Sequence, residues 1–444
     1  MKITLIRPNI GRLGDVPYFD EGRMEPLQLG LLAAMCPADW EVRLVDDRCE
    51  HIPFDEPTDL VAITVEVFTA RRAYEISEQY RTRGVRVVLG GFHPTLIPEE
   101  AALYADAIVI GDAEPVWSQV LADAKACNLQ SRYDGYTGKV QNGILPRRDL
   151  YKGKGYLPIT LIQFSRGCRY ACEFCAISAY FQQRYTSRPV DEVVREIEAQ
   201  DRQLVFFVDD NVVADPAMSK QLFRRLIPLR IRWVSQGSMD MVWDSELMDL
   251  MCESGCLGNV IGFESITQES LTGMNKAPNL KGFDRYEKAI QILKQYGLQT
   301  WAAFTLGCDT DTRQSLYDTL DFAVHHKFTF AAFNVLMPYY GTPLYSKLAA
   351  QGRLLFDGRW WLHSGYRFNH AAFKPAQMSP EELTEMAFEL RSRWNSASSI
   401  LSRFFDLKTN MRTPYRMAIY WMYNPLFRKE TLKKQGMFLG MEPV

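Results

Sequence analysis

Short apolar runs alternate with helical patterns over the first 120 residues of the chain. Strands separated by helices predict a parallel, doubly wound α/β sheet, because the helices serve as crossovers between parallel strands. Continuous apolar runs are typical of strands that are buried on both faces. The predicted strands are Ile3–Arg7, Val42–Asp46, Leu60–Val65, Val85–Leu89 and Ala107–Ile110, and the predicted helices are Leu27–Met35 and Arg71–Arg81.

The alternation resumes at Ile159 and continues to about residue 336. Six β/α repeats in this region predict a partial (β/α)6 barrel of the TIM type. The predicted strands are Thr160–Phe164, Leu204–Val208, Ile231–Ser235, Asn259–Phe263, Thr300–Leu306 and Phe330–Leu336.

The remaining segments divide the chain into four regions. Residues 1–125 form the doubly wound domain, and residues 159–350 form the barrel with its closing loop. Residues 126–158 are polar and rich in Gly, Tyr and Arg, so they are interpreted as a linker. Residues 351–444 carry helical patterns and are predicted to cap the barrel.

The amino-acid composition is ordinary for the chain as a whole, but the C-terminal tail is basic. The chain has 444 residues, of which 47% are hydrophobic and 23% charged, and a formal net charge of -2. This balance is typical of a soluble globular protein and gives no basis for binding nucleic acid. Residues 401–444, in contrast, carry eight Lys or Arg and three Asp or Glu. Without a signal peptide or an apolar run of roughly 18 residues, a cytoplasmic location is expected.

Three of the nine cysteines lie within eight residues, at Cys168, Cys172 and Cys175. Such a cluster indicates a metal rather than a disulfide scaffold in a chain of this size. Cysteine thiolates usually hold all four irons of a 4Fe–4S cluster, so three would leave one iron open. A zinc knuckle is the alternative, but zinc needs a fourth ligand nearby and this segment contains no histidine. Because the loop follows a barrel strand, it is expected at the carboxyl mouth of the barrel.

The segment Ser165–Cys175, with aromatic Phe174 before the last cysteine, resembles the signature of the radical S-adenosylmethionine (SAM) superfamily. The resemblance extends through segments that follow later strands to the loop Pro338–Leu344, and it covers residues 160–350. It implies that SAM binds to the open iron. It also implies that reduction, by a donor such as flavodoxin or ferredoxin, cleaves SAM to a 5′-deoxyadenosyl radical.

SAM needs carboxylates for its ammonium and ribose hydroxyl groups, and apolar surface for its adenine. Polar and aromatic residues near strand ends are therefore the candidates for SAM contact, although strand-end acids can instead cap the next helix. No residue beyond the cluster ligands is assigned a catalytic role. The candidates are Phe174, Asp209, Asp210, Ser235, Gln236 and Glu264.

The N-terminal domain resembles that of radical SAM enzymes that bind cobalamin. The segments Gly90-Gly91-Phe92-His93-Pro94-Thr95 and Pro98-Glu99-Glu100 carry this resemblance. Gly90, Gly91 and His93 are accordingly candidates for cofactor binding, with a structural role as the alternative for His93. The chain departs from the signature Asp-x-His-x-x-Gly, because the spacing around His51 is wrong. No lower axial histidine ligand for cobalt can therefore be assigned.

The combined resemblance implies methylation of an unactivated carbon on a small or lipid-like substrate. The alternatives are radical cyclisation, ring contraction or carbon–carbon coupling in lipid, pigment or natural-product biosynthesis. A tRNA methylthiotransferase would need three further cluster cysteines in the N-terminal domain and a C-terminal β-barrel, which the sequence does not indicate. A non-enzymatic sensor would not need the strand-end acids.

Two aromatic segments follow the barrel. Trp360, Trp361, His363, Tyr366 and Phe368 line a substrate cavity or form the core of a capping helix. Residues 417–427 are apolar and aromatic, with basic residues on both sides. They cover the barrel wall, or they lie at the inner membrane face and dock the barrel mouth where a hydrophobic substrate leaves the bilayer.

Overall fold

Six parallel strands form the sheet of the N-terminal unit in the computed structural model, which describes residues 1–136 and 143–442. Numbered β1 to β6 in chain order, the strands are hydrogen-bonded in the order β2-β1-β3-β4-β5-β6. This order is flavodoxin-like and confirms the doubly wound prediction. The helices of eight or more residues are α1 Leu27–Ala34, α2 Ala70–Arg81 and α3 Trp117–Lys125, and shorter helices lie at Phe92–Leu96 and Pro98–Ala101. The strands are β1 Lys2–Arg7, β2 Glu41–Asp46, β3 Leu60–Thr64, β4 Arg86–Gly90, β5 Ala107–Ile110 and β6 Arg132–Asp134.

The segment predicted as a linker, residues 126–158, instead contributes a strand and core residues to the N-terminal unit. β6 comes from this segment and pairs with β5, and it buries Tyr133 in the core of the N-terminal unit. Tyr151 enters the same core. The polar composition of the segment concealed these two buried aromatic side chains. Residues 137–142 of the predicted linker lie outside the described residues.

The predicted C-terminal capping region also differs, because two of its segments belong to the N-terminal unit. These segments are residues 356–368 and 436–442. Phe438–Leu439 pairs antiparallel with Gly11–Leu13, and this strand pairs in turn with Val16–Pro17. Trp360 and Tyr366 are buried, and the ring centroids of Trp360 and Phe68 are 5.0 Å apart. The aromatic segment is therefore core of the N-terminal unit and not part of a barrel cap.

The second unit contains the predicted barrel. Its six strands are all parallel and hydrogen-bond in chain order from β7 to β12, which confirms the partial (β/α)6 barrel. The strands are β7 Thr160–Ile162, β8 Leu204–Phe207, β9 Arg232–Gln236, β10 Cys256–Glu264, β11 Gln299–Leu306 and β12 Phe330–Val335.

Helices follow the barrel strands and pack their apolar faces on the outside of the sheet. α4, for example, buries Val193, Val194 and Ile197, which recur at helical spacing. The helices of eight or more residues are α4 Val190–Glu198, α5 Pro216–Leu226, α6 Ser245–Glu253, α7 Tyr286–Tyr296, α8 Arg313–His325, α9 Pro343–Ala350, α10 Pro380–Trp394, α11 Ala397–Phe404 and α12 Pro414–Lys433. Shorter helices lie at Ala176–Phe181, Gln268–Gly273 and Ala277–Leu280.

α11 and α12 close the amino-terminal end of the barrel strands. The fully buried Arg403 donates to the carbonyl oxygens of Phe328 and Thr329, just before β12. Arg416 donates to the carbonyl oxygens at the start of β10. The expectation that the tail docks the barrel mouth is therefore wrong, because these helices lie at the opposite end of the strands.

Candidate functional site

The cysteine loop begins where β7 ends. Ser165–Gly167 pairs antiparallel with Tyr185–Ser187, so the loop leaves the barrel as a short hairpin. Gly167 has a φ of +83°, and a Cβ there would overlap the carbonyl oxygen of Arg184. Only glycine allows this close approach. The hairpin delivers the three cysteines one after another at the carboxyl end of the barrel.

The side chain of Asp209 hydrogen-bonds to the residues at the start of this hairpin. Its carboxylate is fully buried and accepts hydrogen bonds from the backbone N–H of Phe164, at 3.0 Å, and from the N–H and hydroxyl of Ser165. Burial raises the pKa of Asp209 to about 7. Because both oxygens are occupied by the chain, the prediction that Asp209 contacts SAM is corrected to a positioning role.

The next residue, Asp210, also hydrogen-bonds to the hairpin. Its carboxylate accepts a hydrogen bond of 2.8 Å from the backbone N–H of Gly167, next to Cys168. Burial raises its pKa as well. Two consecutive acids after the end of β8 thus fix the first strand of the hairpin, which leads into the cysteines.

The three thiols suit a cluster by their chemistry and placement. All three cysteines are free, and Cys172 is the most buried of them. Burial raises the pKa of the Cys172 thiol to about 11, while the nearby Lys276 ammonium opposes that rise. Asn211 Nδ2 lies 3.9 Å from Cys168 Sγ. Within residues 1–136 and 143–442, no group of three His, Cys, Asp or Glu is arranged to hold a single metal ion.

Glu264 forms an ion pair beside the thiols that the sequence did not indicate. Its carboxylate lies 2.7 Å from Lys276 Nζ and accepts a hydrogen bond of 2.7 Å from Thr305. The Lys276 side chain is only 16% exposed. Burial by itself would lower the pKa of Lys276. The Glu264 carboxylate and the Cys172 and Cys175 thiols outweigh the effect of burial, so the pKa of Lys276 is raised. A Cβ on Gly262 would lie 2.8 Å from Lys276 Nζ, so glycine leaves room for the pair.

The turn Met274–Lys276 clamps the cysteine loop. The backbone N–H of Glu173 donates to the carbonyl oxygen of Met274 at 3.0 Å. Asn275 Nδ2 donates to the carbonyl oxygen of Ala171 at the same distance. These bonds hold the residues on either side of Cys172, with Lys276 Nζ 5.9 Å from the Phe174 ring.

The other candidate residues in the barrel differ in whether their side chains are free to contact SAM. Ser235 is fully buried and donates to the carbonyl oxygen of Phe207, so its predicted contact with SAM is corrected to a bond within the sheet. Gln236 is partly exposed, with its amide 3.4 Å from the Asp209 carbonyl oxygen. Phe174 lines a pocket together with Met274 and Phe373. Gln236 and Phe174 therefore remain able to contact a ligand.

His93 is a structural residue of the N-terminal unit. Its Nε2 lies 2.9 Å from Glu100 Oε1 and 3.0 Å from the Tyr74 hydroxyl. Trp361 Nε1 donates to the same Glu100 oxygen at 3.0 Å. The ring is 2% exposed, so the prediction that His93 binds the cofactor is corrected to a place in this buried network.

The carboxyl edge of the N-terminal sheet is where a doubly wound fold binds ligands. Gly91 follows β4 with a φ of +107°, and a Cβ there would lie 2.9 Å from the carbonyl oxygen of Val65. Glycine therefore lets the loops after β3 and β4 approach closely. The Cβ of a larger residue at Gly90 would meet only Val109, at 3.7 Å, so Gly90 is not required by packing.

Sequence comparison agrees with these two sites. Residues 162–323 match the radical SAM superfamily, and residues 20–121 match the B12 binding domain. The chain therefore carries a radical SAM domain together with a B12-binding domain. Its cofactors are accordingly a 4Fe–4S cluster, SAM and cobalamin, and it is an enzyme.

Two relatives from Chlorobaculum tepidum match both units of the chain. Bacteriochlorophyllide d C-12(1)-methyltransferase is 28% identical over 92% of this chain and 89% of its own length. Bacteriochlorophyllide d C-8(2)-methyltransferase is 27% identical over 76% of this chain and 80% of its own length.

A solved structure has a similar fold. The radical SAM methyltransferase TsrM from Kitasatospora setae, determined with cobalamin and a [4Fe-4S] cluster bound, covers 98% of both chains. Its TM-score is 0.64 at 18% sequence identity, so the similarity concerns the fold.

Proposed function

We propose that Cys168, Cys172 and Cys175 hold the 4Fe–4S cluster and that the enzyme methylates an unactivated carbon of a small-molecule substrate. The observation that carries the proposal is the pairing of a three-cysteine loop with a B12-binding domain in one chain. The relatives that match both units are methyltransferases. When bound, the cluster and SAM would supply the radical, and cobalamin would supply the methyl group.

The chain's own residues would prepare this site. Asp209 and Asp210 fix the hairpin, and the turn Met274–Lys276 fixes the far side of the loop. With both its oxygens engaged, Glu264 orients Lys276 towards the thiols. Gln236 and Phe174 remain our proposed SAM contacts, through an amide and an apolar ring.

The cluster assignment is tested by replacing Cys168, Cys172 and Cys175 together with Ala. The triple variant is expected to lose iron binding and SAM cleavage after anaerobic reconstitution, because no thiolate remains in the loop. Cys127→Ala is the matched control, since Cys127 is exposed and lies in the other unit. Retention of the full iron content by the triple variant would contradict the assignment.

Methyl transfer is tested with SAM that carries a deuterated methyl group. Bacteriochlorophyllide d is the first substrate to try, because it is named for both relatives. Mass spectrometry is expected to find the label in the product together with 5′-deoxyadenosine. Formation of 5′-deoxyadenosine with an altered but unlabelled product would favour cyclisation or coupling instead.

The substrate is proposed to be hydrophobic, such as a pigment, an isoprenoid or a lipid, and the electron donor a flavodoxin or ferredoxin. No described helix is long and apolar enough to cross a membrane. We therefore propose a cytoplasmic enzyme that contacts the inner membrane face peripherally, through the C-terminal tail.

A further inference from the structure

Five large apolar side chains are exposed on α11, on α12 and on the segment that joins them. Their exposed fractions range from 43% for Trp421 to 77% for Leu407. We call them the basal patch: Leu401, Phe405, Leu407, Trp421 and Met422. Isolated exposed apolar residues need no explanation, but a contiguous group on one surface indicates a binding function.

Ring contacts join the two helices of the basal patch. The Phe404 centroid is 5.6 Å from that of Phe405 and 5.0 Å from that of Trp421. The Tyr420 hydroxyl donates to the carbonyl oxygen of Ile400 at 2.6 Å. Leu401 lies in the last turn of α11, and Phe405 directly follows the end of that helix. The patch is therefore one surface supported by a packed layer beneath it.

Within α11, α12 and the segment that joins them, the exposed charges are of one sign. The exposed side of α12 continues from Trp421 and Met422, at helical spacing, to basic residues. Residues 397–435, which the structure describes in full, contain two acids, Asp406 and Glu430, and both are buried. The exposed basic residues of this segment are Lys408, Arg412, Arg428, Lys429 and Lys433.

From this combination we infer that the basal patch docks the enzyme on a bilayer that contains anionic lipid. Apolar and aromatic side chains enter the headgroup boundary, while the basic residues contact the lipid phosphates. The inference deepens the proposed function, on which it rests, because docking would hold the enzyme at the surface where a hydrophobic substrate is concentrated. The patch lies at the amino-terminal ends of the barrel strands, of which the nine-residue β10 spans about 30 Å. The cysteine loop therefore faces away from the docked surface, and the substrate reaches it only after it has left the bilayer.

Vesicle co-sedimentation of the anaerobically prepared full chain tests the inference without any turnover. The protein is expected to sediment with phosphatidylglycerol vesicles at low salt, to dissociate at high salt, and to ignore phosphatidylcholine vesicles. A protein that does not bind vesicles could still transfer a methyl group, and a protein that does not methylate could still bind vesicles. The two assays therefore test the two proposals separately. If the protein ignores anionic vesicles at low salt, the inference is wrong.

Point variants are needed, because a chain ending near residue 400 would also remove the buried Arg403 and Arg416. Met422→Glu and Arg428→Glu are each expected to weaken vesicle binding by roughly one order of magnitude. Leu103→Glu, at a 72% exposed leucine of the other unit, is the matched control. If Met422→Glu binds like the parent, or if it instead dissolves a dimer seen by light scattering, the patch does not bind lipid.

Discussion

A single lysine places a positive charge where the cluster would carry negative charge. Lys276 is largely buried, yet only one of its contacts, Glu264, is a carboxylate. The Cys172 and Cys175 thiols are close enough to contribute, with Glu264, to the raised pKa of Lys276. A buried cation near a metal cluster stabilises the reduced form more than the oxidised form, because reduction adds negative charge.

Replacing Lys276 with Met is therefore expected to lower the midpoint potential of the cluster by on the order of 100 mV. Lys276→Arg keeps the charge and should restore most of the potential, whereas Lys281→Met, at an exposed site, should leave it unchanged. A redox titration followed by paramagnetic resonance measures the potential, with iron content as the control. An unchanged potential at full iron content would limit Lys276 to a packing role.

At the scale of elements, the strands and helices of both units followed from local pattern, because buried parallel strands must be apolar along their whole length. α1 and α2 match the predicted helices to within one residue at each end. β6 was missed because only Tyr133 of its three residues is buried. Three-cysteine spacing identified the loop, but Lys276 was not predicted, since nothing local indicates that Met274–Lys276 folds onto the loop.

One buried network joins elements that are far apart in the sequence. Glu100 receives hydrogen bonds from Tyr74 of α2 and from Trp361, and it faces His93. Burial raises the pKa of Glu100, but the bonds from His93, Trp361 and Tyr74 outweigh it and hold the pKa below its ordinary value. A carboxyl with a lowered folded pKa stabilises the fold above its unfolded pKa and loses that contribution as pH falls.

Glu100→Gln is expected to destabilise the N-terminal unit by about 2 kcal/mol at neutral pH, because it removes a charged hydrogen-bond acceptor. The difference from the parent should shrink at acidic pH, as the pH falls from the ordinary pKa of a glutamate through the lowered pKa of Glu100 in the fold, because Glu100 then becomes protonated. Hydrogen exchange of the N-terminal amides measures both effects. Glu99→Gln is the exposed control, and an equal loss in that variant would contradict the network.

At the scale of the whole molecule, the C-terminal strand is part of the N-terminal unit. The guanidinium carbons of Arg12 and Arg367 lie 4.6 and 3.7 Å from the Phe438 ring centroid. Met441 N–H donates to Glu75 at 2.8 Å. Three separate stretches of the chain therefore meet around one small sheet.

Phe438→Ala is expected to destabilise the N-terminal unit by about 2 kcal/mol, since it removes two cation–π contacts and a half-buried ring. Hydrogen exchange should become faster around Gly11–Leu13 and remain unchanged in the barrel strands. Phe388→Ala, at a 38% exposed phenylalanine of the barrel unit, is the control. Faster exchange throughout the barrel would contradict a local role.

The late position of that strand has a consequence for biosynthesis. A ribosome finishes residue 157 and must then add about 280 residues before the strand partner of Gly11–Leu13 emerges. At bacterial and eukaryotic elongation rates this takes roughly 15–60 s. Until Trp361 is made, Glu100 lacks one of its donors, and until Phe438 is made, the small sheet lacks one of its strands. The unit that begins with β1 is thus completed only after the barrel strands have been synthesised, so stable cobalamin loading is expected only once Phe438 has emerged.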